Sequence, residues 1–249
     1  MNDAMESPVP TRRVQRVRHE LRRRTLEVAR VARLGGGFVS ITFAGDELAG
    51  FVSASFDDHV KFILDADTPA PVGRDYTPRR FDAAARELTI EFALHGDGRA
   101  CGWARHALPG DRVLVGGPRG SFIVPTDYDW HLLAGDDTAL PAIRRRLEEL
   151  PAGARVFVVV QAEVEDRLPF ATEAQVELHW VSTPEELLST VAGLALPGGE
   201  GFAWAGGEAS AMAALRGILR EQKGLPKEAM RVAAYWKRGA SAHHENLEE

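Results

Sequence analysis

The sequence predicts two domains of different class, a β-barrel of antiparallel strands followed by an α/β domain built on a parallel sheet. From residue 25 to 125, short apolar strands recur at regular spacing with turn residues between them, which is typical of an antiparallel barrel. From residue 126 to 239, apolar runs alternate with segments of helical periodicity, which indicates a Rossmann-like parallel sheet covered on both faces. We place the linker in VPTDYD, residues 124–129.

The strands of the first domain are delimited by turn residues. TLEVARVARL and FVSITFAG flank Gly35, Gly36 and Gly37, which is a hairpin signal. The further predicted strands are HVKFIL, GRDYTPRRF, ELTIEFALHG and DRVLVGG. The helical insert CGWARHAL is ended by Pro109 and Gly110.

The second domain alternates apolar strands with amphipathic helices. Its predicted strands are WHLLAG, ARVFVVVQAE, VELHWVS, GFAWAGG and MRVAAYWKRG. In the first helix, TALPAIRRRLEEL, the residues Leu140, Ile143, Leu147 and Leu150 share one face. PEELLSTVAGL and EASAMAALRGILREQ are the other two predicted helices.

Composition narrows the classes of function. The net charge of −6 argues against nucleic acid as the main partner. With Cys101 as its single cysteine, the chain has no internal disulfide and no cysteine-rich metal site. It contains no apolar run of the ~20 residues that a membrane span needs and no apolar signal core near its start. We therefore expect a cytoplasmic protein, and we also expect it to be a monomer. The basic run from Arg12 to Arg24 indicates a solvated helix or frayed arm, with an anionic docking role as the alternative. Residues 1–24 make up this N-terminal arm and residues 240–249 a C-terminal tail.

Two strand ends in the second domain have the composition of a ligand site. After the first strand, Gly135 permits a tight turn, and Asp136, Asp137 or Thr138 caps the helix. The small Thr138 and Ala139 let a phosphate approach free amides. After the fourth strand, Gly206 and Gly207 precede Glu208 in the same way. Neither is a G-x-G-x-x-G fingerprint, so an ordinary strand-to-helix turn is the alternative for each.

The stretch GRDYTPRRF, residues 73–81, concentrates cations around an aromatic residue. Arg74 and Arg79 have the forked geometry that binds phosphate, while Tyr76 and Thr77 suit the face and edge of a flat ring. A solvated strand edge with extended arginines is the alternative. Arg80 alternates to the opposite face from Arg79, so we expect it at the surface.

Two glycine-rich turns follow in the first domain. HGDGRACGWA, residues 95–104, precedes the short helix, whose amides are suited to a diphosphate. GGPRGSF, residues 116–122, contains a cation. The alternative for both is that the glycines only form turns between secondary-structure elements and bind nothing.

In this order, R-x-Y-T-x-R, DDHVKFIL, HGDG…WA, GPRGSF, AGDDTALPAI and the ending AYWKRG resemble a known family. They are similar to the ferredoxin-reductase superfamily of flavoproteins, and most similar to its siderophore-interacting branch of ferric-siderophore reductases. The resemblance covers residues 25–239 and implies an FAD-binding barrel followed by an NAD(P)-binding Rossmann-like domain.

The resemblance also implies the site residues. For FAD they are Arg74, Tyr76, Thr77, Arg79, His95, Gly96, Gly98, Ala100, Cys101, Gly117 and Ser121. For NAD(P) they are Gly135, Asp136, Thr138, Ala139, Gly206 and Glu208. For an anionic ferric siderophore they are Lys61, Arg119 and Lys237. The family often has serine at the position of Cys101, and a thiol is a weaker hydrogen-bond donor than a hydroxyl.

The implied reaction passes a hydride from NAD(P)H to FAD, then single electrons to Fe³⁺ in the siderophore, which releases Fe²⁺. No protein nucleophile, acid–base pair or metal site is expected, because the cofactor carries the chemistry. The alternatives are a flavin or ferredoxin–NAD(P) reductase with another acceptor, and a non-catalytic binding module.

The choice of electron donor stays open. Glu163, Glu165 and Asp166, after the second strand, would repel a 2′-phosphate and favour NADH, whereas Arg167 favours NADPH. A ferredoxin is a third possible donor.

Overall fold

A computed structural model describes residues 13–94, 98–239 and 245–246. Its strands form a seven-stranded sheet, a six-stranded sheet and a two-stranded ribbon. The two large sheets confirm the predicted fold class, antiparallel in the first part of the chain and parallel in the second. Within the described residues, no helix combines the length and apolar character needed to cross a bilayer.

The seven-stranded sheet is antiparallel throughout and has the order β5-β4-β8-β2-β3-β7-β6. It is curled, because Tyr76 on β5 packs against Phe92 on β7, with ring centroids 4.4 Å apart. Among the described residues no backbone ladder joins β5 to β7, so the barrel is open on that side. The strands are β2 Arg23–Leu34, β3 Phe38–Ala44, β4 Val60–Leu64, β5 Val72–Tyr76, β6 Arg80–Asp82, β7 Glu87–Ala93 and β8 Arg112–Gly116.

Aromatic rings fill the interior of this curled sheet. Phe43, Phe62 and Phe92 alternate inward from three strands and are fully buried. Helix α1, Arg99–His106, adds Trp103, whose ring centroid lies 5.0 Å from that of Phe62. Burying each phenylalanine ring contributes ~1.5–3 kcal/mol, so these rings hold α1 against the sheet.

The six-stranded sheet has the order β12-β11-β10-β13-β14-β15, and its first five strands are parallel. These strands are β10 Trp130–Asp136, β11 Arg155–Gln161, β12 Gln175–Val181, β13 Gly201–Glu208 and β14 Met230–Trp236. The helices are α2 Leu140–Glu149, α3 Pro184–Gly193 and α4 Ala209–Gly217, which a π-helical turn, Ile218–Gln222, extends. The near-continuous burial of β10, β11 and β13 is that of a sheet covered on both faces.

The interpretation of the N-terminal segment as a helix or frayed arm is wrong for the residues that the structure describes. β1, Gln15–Arg18, pairs antiparallel with β9, Gly120–Ile123, and β2 already begins at Arg23. The side chain of Val14 is buried beside this ribbon. The basic segment has only a weak local preference for a helix or an extended arm. Its backbone pairing with the distant β9 decides that it forms a strand. At the other end, β15, Glu245–Asn246, pairs with β14.

Helix α2 carries charged side chains that connect the parallel sheet to the barrel. Glu91 on β7 lies between two buried guanidinium groups, those of Arg144 on α2 at 2.9 Å and of Arg79 at 3.2 Å. Arg79 also donates to both carboxylate oxygens of Glu148 on α2. Arg145 donates to the carbonyl oxygen of Pro78 at 2.8 Å. Breaking a buried pair of this kind costs ~3–5 kcal/mol, so the network fixes one sheet relative to the other.

A second connection uses the glycine turn between β2 and β3. The buried Asp166, after β11, accepts hydrogen bonds from the amides of Gly36 at 3.0 Å and Gly37 at 2.8 Å. Gly35 has φ of +58°, and a Cβ there would lie 2.5 Å from the Asp166 carboxylate. The turn therefore needs glycine, and Asp166 serves as the acceptor that holds it.

We expect Asp166→Ala to destabilise the protein, because it leaves two amide donors without an acceptor at a cost of ~1–3 kcal/mol each. Urea unfolding measures the change. Glu165→Ala is the matched control, since Glu165 is exposed and its removal should change stability by less than ~0.5 kcal/mol. Equal stability of the two variants would contradict the role of Asp166.

We also expect acid to weaken the fold through His131 on β10, which is buried with Nε2 3.4 Å from the carbonyl oxygen of Thr126. Burial, and then the charge of Arg146, lower the pKa of His131 from 6.5 to about 4. Between pH ~6.5 and 4 the unfolded chain therefore binds a proton at His131 that the folded chain does not. The free energy of unfolding is unaffected above pH ~6.5 and falls by up to ~3 kcal/mol as the pH falls toward 4. In urea unfolding, His131→Gln should lose less stability than wild type between these pH values, and parallel losses would refute the assignment.

Candidate active site

A cavity of about 760 Å³ lies where the carboxyl ends of the parallel strands face the barrel. Ligands of open parallel sheets bind at this end of the strands. The barrel contributes His59, Arg74, Asp75, Tyr76, Thr77, Glu91, Ala93 and Cys101 to the wall. The second domain contributes, among others, Asp136, Thr138, Pro141, Gln161, Glu185, Glu208, Tyr235, Trp236 and Arg238.

The barrel wall is built by β5. Tyr76 stands edge-on to Phe62, with ring centroids 5.8 Å apart, and burial raises its pKa, so the phenol keeps its proton. Arg74 donates through Nη1 to the carbonyl oxygen of Gly73 at 2.8 Å, and this is its only protein acceptor within the described part of the chain. Its other donors remain for a ligand. Thr77 is buried beside them, so the structure brings the three predicted residues together.

The two arginines that follow lie elsewhere. Pro78 interrupts the alternation, and the amide of Arg79 bonds to the carbonyl oxygen of Thr89 at 2.9 Å. The Arg79 guanidinium is in the ion pairs with Glu91 and Glu148 and does not line the cavity. Arg80 is exposed, as predicted.

The start of α1 provides backbone donors. Gly98 is its N-cap, in extended conformation, and among the residues that the structure describes no side chain caps the helix, so the first-turn amides are suited to an anion. Cys101 lines the cavity, and its thiol donates to the carbonyl oxygen of Ala93 at 3.3 Å. Ala100 is buried beside it. The predicted residues His95 and Gly96 lie outside the described ranges.

Two other predicted residues serve the barrel rather than the cavity. The amide of Gly117 donates to the carbonyl oxygen of Arg22 at 3.0 Å, and its own carbonyl accepts from Arg24 Nη1 at 3.0 Å. Ser121 is buried and donates to the Asp58 carboxylate at 2.8 Å. Neither residue lines the cavity.

The strand ends of the second domain meet closely. A Cβ on Gly135 would lie 2.1 Å from the carbonyl oxygen of Gly206, so β10 and β13 need glycine here. The buried Asp136 accepts from the amides of Thr138 at 3.0 Å and Glu208 at 2.8 Å, and from Trp236 Nε1 at 2.9 Å. One carboxylate thus joins three elements. Burial, with the neighbouring Asp137 charge, raises its pKa to about 6.

Two further predicted residues complete this side. Ala139 is fully buried at the start of α2. Glu208 caps α4 by accepting from the amides of Ser210 at 2.7 Å and Ala211 at 3.2 Å. Burial opposes its ionisation, but the bonds from Ser210 and Arg238 outweigh it and lower the pKa. The amide end of α4 is therefore occupied by its own cap.

The three predicted cations lie outside the cavity wall. Lys61 is exposed and forms an ion pair with Asp75 at 2.8 Å. Arg119 and Lys237 are both exposed.

Sequence reasoning missed wall residues adjacent to these cations. His59 precedes Lys61 by two residues and so shares its face of the chain, a signal that strand alternation offered. Trp236 and Arg238 flank Lys237, and both line the cavity. The segment AYWKRG alone does not indicate which of its residues does so.

The residues proposed to select the nicotinamide are largely engaged in structure. Arg167 donates to the carbonyl oxygen of Ala162 at 3.1 Å and to Ser182 Oγ at 2.9 Å, while Asp166 holds the glycine turn. Glu163 and Glu165 are exposed. Within ranges 13–94 and 98–239, His, Cys, Asp and Glu do not gather in a group of three suited to a metal ion.

The chain has a ferredoxin-reductase-like fold, with a barrel and a parallel sheet facing one cavity. At the level of fold it is similar to the ferredoxin reductase in carbazole 1,9a-dioxygenase, with a TM-score of 0.66 and 18% identity over 87% of this chain and 68% of that one. Residues 65–122 match the profile of the siderophore-interacting FAD-binding domain, and residues 128–239 that of the siderophore-interacting protein. The chain belongs to the siderophore-interacting protein family.

Relatives over the full length support this placement. The NADPH-dependent ferric-chelate reductase of Escherichia coli K12 is 36% identical over 89% of this chain and 96% of its own. The ferric vibriobactin reductase of Vibrio cholerae is 30% identical over 89% and 93%. The crystal structure of a siderophore utilization protein from T. fusca has a TM-score of 0.86 and 34% identity, covering 93% of this chain and 99% of that one. The predicted family is confirmed.

Proposed function

We propose that this protein is an FAD-dependent ferric-siderophore reductase that takes its electrons from NAD(P)H. One observation carries the proposal. The cavity of about 760 Å³ joins the R-x-Y-T wall and Cys101, in the first turn of α1, to the strand ends around Asp136. Such a common site is needed because the electron donor NAD(P)H and the ferric siderophore that accepts the electrons must both come close to the flavin. The names of the E. coli and V. cholerae relatives agree with this activity.

The barrel residues fit FAD. Arg74 has donors free for a phosphate or ribityl oxygen, Tyr76 offers a buried ring, and Thr77 offers a hydroxyl. The first-turn amides of α1, to which no side chain in the described part of the chain bonds as a cap, suit the diphosphate. With FAD bound there, these residues would position a group whose chemistry is to take a hydride from NAD(P)H and to give single electrons to Fe³⁺. The protein supplies position and electrostatics, so no catalytic side chain is required.

The nicotinamide side is formed by the parallel strand ends. Gly135 and Gly206 allow close backbone approach, and Thr138 lines the cavity beside Asp136. Tyr235 and Trp236 line the same wall. NADH and NADPH are both proposed donors, and a ferredoxin is the alternative to them.

The cations Lys61, Arg119 and Lys237 are proposed to attract the anionic siderophore, most strongly at low ionic strength. We also propose that the protein acts as a monomer. The use of NAD(P)H supports a cytoplasmic location.

The activity is tested with purified protein loaded with FAD. Under anaerobic conditions, NADH or NADPH is added with a ferric siderophore and a coloured Fe²⁺ trap. We expect bleaching of the flavin absorbance followed by formation of the Fe²⁺ complex. A protein that takes up no FAD would refute the proposal. Flavin bleaching that no ferric chelate reverses would favour a reductase with another acceptor, and chelate binding without bleaching would favour a non-catalytic module.

The proposed FAD contact is tested by Arg74→Ala. Losing a charge-assisted hydrogen bond costs ~1.5–3 kcal/mol, so the dissociation constant for FAD should rise by about 10- to 100-fold. Flavin fluorescence quenching during titration measures it. Arg80→Ala is the control, because Arg80 is six residues further along the chain and exposed, and it should bind FAD as wild type does. Similar affinities for both variants would remove Arg74 from the site.

A further inference from the structure

A row of three residues crosses the seven-stranded sheet beside the cavity. Gly116 on β8 pairs with Lys61 on β4 and with Arg23 on β2. A Cβ on Gly116 would lie 3.8 Å from Lys61 Cβ and 4.0 Å from Arg23 Cγ. The two cationic side chains therefore stand on one face, on either side of a residue that has no side chain.

The turn after Gly116 is fastened to the basic segment that precedes β2. The amide of Gly117 donates to the carbonyl oxygen of Arg22 at 3.0 Å, and the amide of His19 donates to the carbonyl oxygen of Arg119 at 2.9 Å. In the β1–β9 ribbon, Arg18 is the register partner of Gly120. The basic segment thus lies along the turn that carries Arg119.

The charges in this area do not balance. Arg22 is paired with Glu20, and Lys61 with Asp75. Arg18, Arg23 and Arg119 are exposed and have no acidic partner in the described part of the chain. A chain of net charge −6 therefore presents a local excess of positive charge.

This cationic area adjoins the cavity. Asp75, the ion-pair partner of Lys61, lines the cavity wall, and so does His59, two residues before Lys61. The carbonyl oxygen of His59 would lie 3.8 Å from a Cβ on Gly117. An anion held between Lys61 and Arg23 would therefore lie at the rim of the cavity.

We propose that Arg23 is a further substrate-binding residue, which together with Lys61 and Arg119 makes the rim selective for a trianionic ferric tris-catecholate over a neutral ferric tris-hydroxamate. The inference rests on the proposed function. Arg23 presents a guanidinium fork, which donates paired hydrogen bonds to the anionic oxygens of a catecholate. The oxygens of a neutral chelate accept such bonds only weakly. Gly116, between Lys61 and Arg23, is buried and adds no side chain of its own to the row.

The test is Arg23→Gln in the FAD-loaded full chain, titrated with each chelate in the absence of NAD(P)H. Quenching of tryptophan fluorescence reports binding. We expect the dissociation constant for the tris-catecholate to rise about tenfold, equivalent to ~1.4 kcal/mol, and that for the tris-hydroxamate to change less than about twofold. Arg23→Lys, which keeps the charge, should recover part of the loss.

Arg220→Gln is the matched control, because it makes the same change of net charge at an exposed residue in the π-helical turn after α4. An equal loss in this control would overturn the proposal and show a general charge effect. An unchanged affinity in Arg23→Gln, with normal flavin absorbance and reductase activity, would also overturn it. Failure of every ferric chelate in the reduction assay would instead overturn the proposed function, since binding is measured without an electron donor.

Discussion

The position of the two sheets depends on the carboxylate of Glu91, which lies between the buried guanidinium groups of Arg79 and Arg144. Each of these charges would be costly alone in a poorly solvated interface. Together with Glu148 they balance, but only when β7 and α2 are side by side. Glu91 also lines the cavity. The carboxylate that holds β7 against α2 is therefore part of the cavity wall as well. Electron transfer needs its partners in fixed positions, and this ion network provides them.

On the far side of the cavity, Asp136 has a comparable role at shorter range. It accepts hydrogen bonds from Thr138, Glu208 and Trp236, and so joins the ends of three parallel strands. The raised pKa of Asp136 reflects the cost of burying this charge. The barrel contributes the buried carboxylate of Glu91 to the cavity wall, and the parallel sheet contributes that of Asp136. Glu91 holds guanidinium groups in place, and Asp136 holds hydrogen-bond donors.

Local pattern was sufficient to predict most of the architecture. The alternating strands, the helix CGWARHAL and the parallel strand ends are set by nearby residues, and Arg74, Tyr76 and Thr77 could be proposed together because they lie in one short stretch of the chain. Predictions failed or lost precision where distant pairing decides the outcome. β1 forms only because β9 offers an edge more than a hundred positions later. Pro78 redirects Arg79 toward α2, and Asp166 serves a glycine turn that its own surroundings in sequence do not indicate.

The ribbon of β1 and β9 also has a consequence for biosynthesis. β2, in the middle of the barrel sheet, pairs with β8, and Gln15 pairs with Ile123, so the first strands made have partners that emerge much later from the ribosome. Contacts of such long sequence separation form slowly, because the intervening chain must be ordered first. The seven-stranded sheet is therefore complete only after Gly116 has been synthesised, and the ribbon only after Ile123, yet both precede the parallel sheet in the chain. In the nascent chain, the arginine-rich segment next to β2 stays accessible throughout that interval.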